Sequence, residues 1–185
     1  MIKNSKGWKK EKLGNISFVG SSKRVFVDEL VEEGVPFYRG TEIGALSIGE
    51  NIEPSLFITR EHYESLKQST GVPEIGDLLM PSICPDGKIW CVNTKNPFYF
   101  KDGRVLWIHL KSAEVNSIYL KYMLKEKFLR DYNRIASGTT FAELKIFELK
   151  KLDIIIPSIE LQNQFADFVK QVDKLKFEIY RNLKF

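Results

Sequence analysis

The sequence has 185 residues, a formal net charge of +4, 43% apolar residues and 12% aromatic residues. A chain of this size and apolar content can bury a core, which excludes an unstructured tail. No apolar run approaches the length of about 18 residues that a membrane-spanning helix needs. The lysine-rich start lacks the apolar stretch of a signal peptide, so we expect a cytoplasmic protein without a membrane partner.

The charged residues are unevenly distributed along the chain. Residues 1–27 contain seven Lys or Arg against one acid, residues 28–86 contain three against twelve, and residues 87–185 contain eighteen against eleven. A molecule polarised in this way can present a basic surface to phosphate groups while its acidic stretch faces elsewhere. DNA and RNA are therefore candidate partners.

Short apolar runs separated by turn signals predict short strands in the first two thirds of the chain. The runs cover residues 16–19, 37–40, 51–58, 78–80, 89–92 and 104–110. Pro85-Asp86-Gly87-Lys88 is typical of a turn and predicts a hairpin between the fourth and fifth runs. We expect a Gly-rich loop after the run at 37–40, and residues 25–33 fit either a short acidic helix or an extended piece.

Two helices are predicted before the last segment of the chain, one among these strands and one after them. Thr59 can cap a helix over residues 60–68. Asn116 or Ser117 can cap a longer helix, whose core-facing stripe contains Leu120, Leu124 and Phe128.

The last segment predicts one long amphipathic helix. It follows Pro157, which ends an apolar run at 152–156, and Ser158 suits its N-cap. A 4-3-4-3-4 spacing forms a narrow apolar seam of Leu161, Phe165, Phe168, Val172, Leu175 and Ile179. The positions opposite the seam, beginning with Gln162 and Asn163, are polar. The seam favours pairing with a partner helix, and the alternative is a helix folded back on its own domain.

Together these elements predict an α+β fold. Short strands and helices form a mixed α/β domain over residues 1–156, followed by one long C-terminal coiled-coil helix over residues 157–185. Because the strands are irregularly spaced between short helices, a regular parallel sheet is disfavoured.

Metal-binding motifs are not evident. Cys84 and Cys91 lack the spacing of a zinc or redox site, and His62 and His109 are far apart in sequence. We therefore expect reduced, structural thiols and no metal site.

Catalytic motifs are equally scarce. The glycine-rich and nucleophile-elbow patterns of nucleotide-binding proteins and hydrolases are missing. The best enzymatic hypothesis is a Mg²⁺-dependent nuclease that uses Asp77 with Asp86 and Lys88. It is disfavoured because Asp86-Gly87-Lys88 forms a turn signal, whereas such a site needs its second acid and its lysine on a strand.

Nucleic-acid binding has better candidate residues. Small donors in the Ser137-Gly138-Thr139-Thr140 loop can approach phosphate closely, and Arg39, between Tyr38 and Thr41, can bridge two acceptors on a guanine edge. The lysines and arginine that can neutralise backbone phosphates are Lys23, Arg24, Lys88 and Lys145.

The order of several motifs resembles that of a target recognition domain from type I restriction-modification specificity subunits. The motifs are residues 34–39, residues 76–79 with Gly87-Lys88, residues 119–124, residues 136–140, and Pro157-Ser158-Ile159-Glu160-Leu161-Gln162 with Phe165-Ala166. The last two are similar to the family's S-G-[ST] loop and P-P-L-x-E-Q-x-x-I-A helix opening. This chain departs from the helix opening at Ser158, Leu161 and Phe165, and all three are compatible with a helix start.

The resemblance implies a DNA-reading subunit without an active site of its own. Members of that family usually carry two recognition domains and two spacer helices, whereas this chain has one of each, so it resembles a half-subunit that could form a homodimer through its helix. The implied partners are double-stranded DNA, methyltransferase subunits and, through them, a restriction subunit. AdoMet, ATP and Mg²⁺ would belong to those partner subunits, and this chain would need no cofactor.

A different class of function is also compatible with the sequence. The chain could be a coiled-coil module that docks a protein through its acidic stretch at 28–86 and binds no DNA specifically. Salt-dependent binding of random duplex DNA would separate the two hypotheses.

Overall fold

The computed structural model describes residues 6–138 and 142–182. In chain order the elements are β1 (Lys9–Lys12), α1 (Leu13–Ile16), β2 (Ser17–Gly20), a 3-10 helix (Val27–Glu29), β3 (Val35–Tyr38), α2 (Gly40–Ser47), β4 (Phe57–Ile58), α3 (Arg60–Thr70), β5 (Leu78–Pro81), β6 (Trp90–Cys91), β7 (Tyr99–Phe100), β8 (Val105–Leu110), α4 (Ser117–Ile135), β9 (Ala136–Ser137), β10 (Glu143–Leu144), α5 (Ile146–Lys150), β11 (Asp153–Ile156) and α6 (Ile159–Asn182). This mixture of short strands and helices, ending in a long helix, confirms the predicted α+β class.

A central antiparallel sheet has the strand order β2-β8-β5-β6. Successive residues of β8 face opposite sides of this sheet. Leu106 and Ile108 share a core cluster with the α4 stripe, while Val105 and Trp107 belong to a second cluster. The sheet is therefore covered on both faces, which explains why β8 is a continuous apolar run.

The β5–β6 hairpin forms as predicted. Leu78 pairs with Cys91 and Leu79 with Trp90, and Gly87 in the connection has a φ of +65°. A side chain at that φ would be strained, so the glycine permits this turn.

A smaller sheet lies over the second face of the central sheet. Its order is β4-β3-β7, with β3 antiparallel to β4 and parallel to β7. Aromatic rings fill the space between the two sheets: Phe100 meets Trp107 edge-on with ring centroids 6.1 Å apart. The presence of both strand directions agrees with the prediction that this is no regular parallel sheet.

The Gly-rich loop expected after β3 is instead the helix α2. Its start is stabilised by Glu42, whose carboxylate accepts a 2.8 Å hydrogen bond from the Arg39 backbone N–H. Ile43 anchors the helix in the aromatic core. The expectation of a loop was wrong because this cap from Glu42 and one buried side chain outweigh the low helix propensity of Gly40 and Gly44.

The two predicted middle helices are both present. Thr59 accepts a hydrogen bond from His62 N at the start of α3. Asn116, rather than Ser117, caps α4 by accepting from Ile118 N and Tyr119 N. The α4 stripe packs in the core as expected, with Leu120, Leu124 and Phe128 fully buried.

The apolar run before Pro157 forms β11, which pairs with the lysine-rich segment β1. Sequence alone does not predict β1, because Lys9–Lys12 contains no apolar residue. The Asp153 carboxylate joins the strands through Lys10 Nζ at 2.8 Å and Lys12 Nζ at 2.7 Å. These hydrogen bonds lower the pKa of Asp153.

The helix α6 leaves the end of β11 and packs partly against α4. Ser158 Oγ accepts a 3.4 Å hydrogen bond from Leu161 N, as expected of an N-cap. With 24 residues, α6 is about 36 Å long. Ala166 and Val169 are buried on its inner side, and so is Gln162, which the sequence groups with the polar positions opposite the seam.

Candidate nucleic-acid interface

The start of α2, the end of β5 and the turn between β7 and β8 enclose a groove of about 290 Å³. Its lining combines Arg39 and Thr41 with Lys101 and Arg104. Ser82 ties the groove to β10, because Ser82 N donates to Arg104 O and Leu144 N donates to Ser82 O. Cationic side chains from separate parts of the sequence therefore meet at one edge of the central sheet.

Two further grooves continue from this one. A groove of about 500 Å³ shares Thr41 with the first and extends to Lys88. A groove of about 300 Å³ shares Lys101 and Arg104 and extends to Arg24. We call the five cations of this connected surface the basic face: Arg24, Arg39, Lys88, Lys101 and Arg104.

Nearby carboxylates pair with most of the basic face. Arg24 Nε lies 3.0 Å from Asp102, Lys88 Nζ lies 3.1 Å from Asp86, and Arg104 contacts Glu143. Among residues 6–138 and 142–182, Lys101 has no carboxylate partner. Because exposed ion pairs contribute little to stability, these cations can exchange a carboxylate for a phosphate at low cost.

Arg39 has the tightest pairing on the basic face. Its guanidinium contacts both carboxylate oxygens of Glu42, with Nη2 2.7 Å from Oε1. The hydrogen bond to Glu42 raises the pKa of Arg39, so the side chain keeps its charge. The same planar fork that holds Glu42 matches two acceptors on a guanine edge.

The structure brings several of the predicted DNA-contact residues together. Arg39, Thr41 and Lys88 line connected grooves, and Arg24 lies in the adjacent one. Lys145 joins indirectly, because its Nζ is 2.8 Å from Glu143, the partner of Arg104.

The Ser137–Thr140 segment is described only in its first half. Ser137 in β9 pairs with Glu143 in β10, so it lies beside the acid that holds Arg104. Gly138 has a φ of +122°. Thr139 and Thr140 lie outside the described residues.

Tyr38 and Lys23 have different surroundings from the other candidates. The Tyr38 ring stacks on Phe98 with centroids 5.2 Å apart, and burial raises the pKa of its hydroxyl. The Tyr38 side chain therefore packs against the core next to the basic face. The Lys23 backbone N–H donates to Tyr99 Oη at 2.9 Å, while its side chain is exposed.

Sequence reasoning missed Lys101 and Arg104. Both flank Asp102-Gly103, a turn signal between two apolar runs, and Gly103 has a φ of +64°. Such a turn places its flanking residues at the end of a sheet. That signal, combined with the two charges, could have nominated them.

Exposed apolar side chains interrupt the basic face. Phe26, Ile48 and Ile83 are all exposed and line these grooves. Large apolar groups beside cations suit a ligand with both charged and apolar parts, as DNA has in its phosphates, sugars and thymine methyl groups.

The three residues of the nuclease hypothesis do not form a site. Asp77 precedes β5, whereas Asp86 and Lys88 lie in the turn beyond its other end, about 13 Å away at strand spacing. The Asp77 carboxylate is buried and accepts from Trp107 Nε1 at 2.7 Å, with His109 Nδ1 2.8 Å away. Across residues 6–138 and 142–182, no group of three or more His, Cys, Asp or Glu could hold a metal ion.

The two cysteines are not paired with each other. Cys84 is buried, and burial raises the pKa of its thiol to about 12. Cys91 is half-buried in β6, and burial raises its pKa as well. Both are free thiols, as the sequence predicts.

The α6 seam is exposed over much of its length, and Val172 is half-buried. The exposed fractions are 45% for Leu161, 62% for Phe168, and 57% for both Leu175 and Ile179. Phe165 is partly shielded by the rings of Tyr119 and Tyr122. The helix therefore packs on its own domain through another face.

None of the helices within residues 6–138 and 142–182 combines the length and the apolar character that a membrane-spanning helix needs.

A family comparison identifies this arrangement. Residues 5–184 match the family described as "Type I restriction modification DNA specificity domain". The chain belongs to this family. As a DNA specificity domain it contributes target recognition and is itself non-catalytic.

Two relatives extend the family match. A Haemophilus influenzae protein that carries the name of a type I restriction enzyme specificity subunit is 26% identical over 172 residues, covering 92% of this specificity domain and 42% of the relative. The MjaIX specificity subunit of Methanocaldococcus jannaschii is 34% identical over 102 residues, covering 54% of this chain and 22% of that protein.

Solved structures share the fold of this specificity domain. The HsdS subunit from Thermoanaerobacter tengcongensis has a TM-score of 0.66 at 16% identity, covering 97% of this chain and 40% of the subunit. The S subunit from M. genitalium has a TM-score of 0.59 at 16% identity, covering 100% and 45%. A chain from a structural study of a type I restriction-modification complex has a TM-score of 0.67 at 17% identity, covering 97% and 41%. This chain spans less than half the length of each of these proteins.

Proposed function

We propose that this specificity domain reads a DNA sequence for a type I restriction-modification complex and that its basic face lies on the DNA. The observation that carries the proposal is the convergence of Arg24, Arg39, Lys88, Lys101 and Arg104 on connected grooves in a member of a DNA specificity family. A surface assembled from five separate cations fits a polyanion better than a small ligand.

Affinity and specificity would come from different residues of this face. Lys88, Lys101 and Arg104 would neutralise phosphates, which fixes the domain on the duplex without selecting a sequence. Arg39 would leave Glu42 for a guanine, and Thr41 and Ile83 would contact neighbouring base edges. The Ser137–Thr140 segment, Lys23 and Lys145 would add backbone contacts at the rim.

The exposed seam supports self-association through α6. In an antiparallel pair centred between Phe168 and Val172, those two residues would face each other, Phe165 would face Leu175, and Leu161 would face Ile179. Two of these layers combine an aromatic with a smaller aliphatic side chain and the third pairs two aliphatic side chains, which suits close packing. Residues 1–156 would then be the recognition domain and residues 157–185 the spacer.

A two-fold dimer of this kind would recognise a split target. Its two domains would read inverted half-sites, and the gap between them would follow from the length of the spacer helices. By family resemblance, methyltransferase subunits would bind near the spacer in the cytoplasm and recruit the restriction subunit. AdoMet, ATP and Mg²⁺ would be bound by those partners.

Selection from a randomised duplex library tests the proposal. Purified protein should retain duplexes that share a motif after several rounds, and the motif should weaken when Arg39 is replaced by alanine. Retention of no duplex at low salt would reject DNA binding and leave a protein-docking module as the better account. Nicking of a plasmid in the presence of Mg²⁺ would instead contradict the non-catalytic role.

A further inference from the structure

Gln162 is a buried polar side chain at the point where α6 leaves the rest of the fold. Its Nε2 donates to the carbonyl oxygens of Pro157 and Glu114, each at 2.9 Å. Its Oε1 accepts from Asn116 N at 2.9 Å. Both amide protons and the amide oxygen are thus used. One side chain of α6 holds the end of β11 and the start of α4 together.

Neighbouring contacts reinforce this connection. The Asn116 side chain caps α4 and also donates from Nδ2 to Asn163 Oδ1 at 2.9 Å. Tyr119 Oη donates to Ile155 O at 2.7 Å, which ties α4 to β11. We call Asn116, Tyr119, Gln162 and Asn163 the polar joint. Three of its contacts connect α6 or β11 to the residues at the start of α4: Gln162 with Asn116, Asn163 with Asn116, and Tyr119 with Ile155.

We propose that Gln162 is a positioning residue that fixes the direction of α6 relative to the recognition domain and so sets the spacing between two DNA half-sites. The spacing part of this inference rests on the proposed function. The leverage is large, because tilting a helix about 36 Å long by about 10° moves its far end by about 6 Å. That displacement corresponds to nearly two base-pair steps of about 3.4 Å each.

The chemistry of the joint is specific to glutamine. Leucine has a similar volume, but it would leave two carbonyl groups and one N–H without partners in a buried place, so the joint would open to water or rearrange. Glutamate would bring a carboxylate toward two carbonyl oxygens. Gln164, two residues further along α6, is exposed and offers a matched control.

Pulsed electron-electron spin resonance can measure the direction of α6 without DNA. Spin labels at Gln68→Cys on α3 and Lys174→Cys on α6 occupy exposed positions. Cys91→Ser removes the half-buried thiol, and Cys84 resists labelling because it is buried with a pKa of about 12. Dilution with unlabelled chain removes distances between copies. The labelled protein with Gln68→Cys, Lys174→Cys and Cys91→Ser should give one narrow distribution of distances between the two labels, and so should the same protein with Gln164→Leu. With Gln162→Leu the distance distribution should be broadened or shifted.

A gap-scanning experiment then tests the consequence for DNA. Duplexes carry two copies of the selected half-site, and the gap between them grows one base pair at a time. Wild type and Gln164→Leu should prefer one gap, whereas Gln162→Leu should bind several gaps with similar affinity and an unchanged half-site motif. Ser17→Ala, which loses a buried 2.7 Å hydrogen bond to Leu13 O and no contact of the polar joint, controls for destabilisation alone.

The outcomes separate the two proposals. An unchanged distance distribution in Gln162→Leu, or an unchanged gap profile despite an altered distribution, would overturn the role of Gln162. A broadened gap profile in Ser17→Ala would reduce that role to general stability. If wild type selects no half-site at all, the proposed function fails, while the spin-label result still decides whether Gln162 fixes the helix.

Discussion

At the scale of single residues, most cations of the basic face contact carboxylates that a DNA phosphate could replace. Arg24, Lys88 and Arg104 each contact an exposed or partly exposed carboxylate, and such pairs contribute little to stability. Their carboxylate partners keep the free surface neutralised, and a phosphate can replace them. Arg39 differs because the Glu42 carboxylate that holds its guanidinium also caps α2 by accepting from the Arg39 backbone N–H. Its use by a DNA base would therefore couple recognition to the start of a helix.

Arg39→Ala tests whether this residue reads a base. We expect a loss of about 1–3 kcal/mol in binding to the selected motif and little loss on random duplex, because a bidentate base contact discriminates by that amount. Competition binding with both duplexes measures the difference. Arg60→Ala, in an exposed pair with Glu64 on α3, is the control. Equal losses on the two duplexes would reassign Arg39 to a phosphate.

At the scale of elements, a helix or strand can be predicted from the sequence when residues close together in the chain determine it, and cannot when its partner is distant in the chain. The hairpin of β5 and β6 and the helices α3 and α4 have local signals, namely a turn motif, caps and a periodic apolar stripe. Their existence and type could be predicted. By contrast, β1 is a strand only because β11 supplies its partner, and α2 depends on the core around Ile43. No local pattern encodes such long-range partners.

Asp153→Asn tests the charged link between β1 and β11. Hydrogen bonds from Lys10 and Lys12 lower the pKa of Asp153, so its contribution to the free energy of unfolding is present above its ordinary pKa of 3.8 and is lost as the pH falls through the lower folded value. Because the carboxylate is partly exposed and its attraction to the two lysines is screened by solvent, we expect a destabilisation below about 1 kcal/mol at neutral pH.

Urea unfolding of both proteins at neutral pH and near pH 3 measures this contribution. The difference between wild type and Asp153→Asn should shrink at the lower pH, while the exposed Asp28→Asn should leave stability unchanged at both. A difference that is the same at both pH values would contradict a role for the Asp153 charge.

At the scale of the whole molecule, folding redistributes the charge pattern of the sequence. The basic face takes Arg24 from the basic residues 1–27, Arg39 from the acidic residues 28–86, and Lys88, Lys101 and Arg104 from residues 87–185. The uneven pattern of charge along the sequence could not give the members of this surface, since Arg39, Glu42 and Asp86 of the acidic stretch lie there too. The seam of α6 was predictable from periodicity, whereas the burial of Gln162 was not, because it depends on the backbone of Pro157, Glu114 and Asn116.

Leu175→Glu tests self-association through the seam. The side chain is 57% exposed, so the charge should not disturb the fold of a single chain, but it would be buried against a partner helix. Sedimentation velocity at micromolar concentration should find a dimer for wild type and a monomer for the variant. Lys174→Glu, outside the seam, should remain dimeric. If wild type is already a monomer and Leu175→Glu does not change its sedimentation, the proposed dimer is contradicted.

The central claim, that the basic face holds DNA, is tested most directly by the salt dependence of binding to random duplex. Each phosphate contact contributes about 0.9 to the slope of log K against log salt concentration, so the double variant Lys101→Ala with Arg104→Ala should reduce a steep wild-type slope by about two. The double variant Arg60→Ala with Lys67→Ala, on α3, should keep the wild-type slope. A wild-type slope near zero, or equal slopes for the two double variants, would contradict the claim.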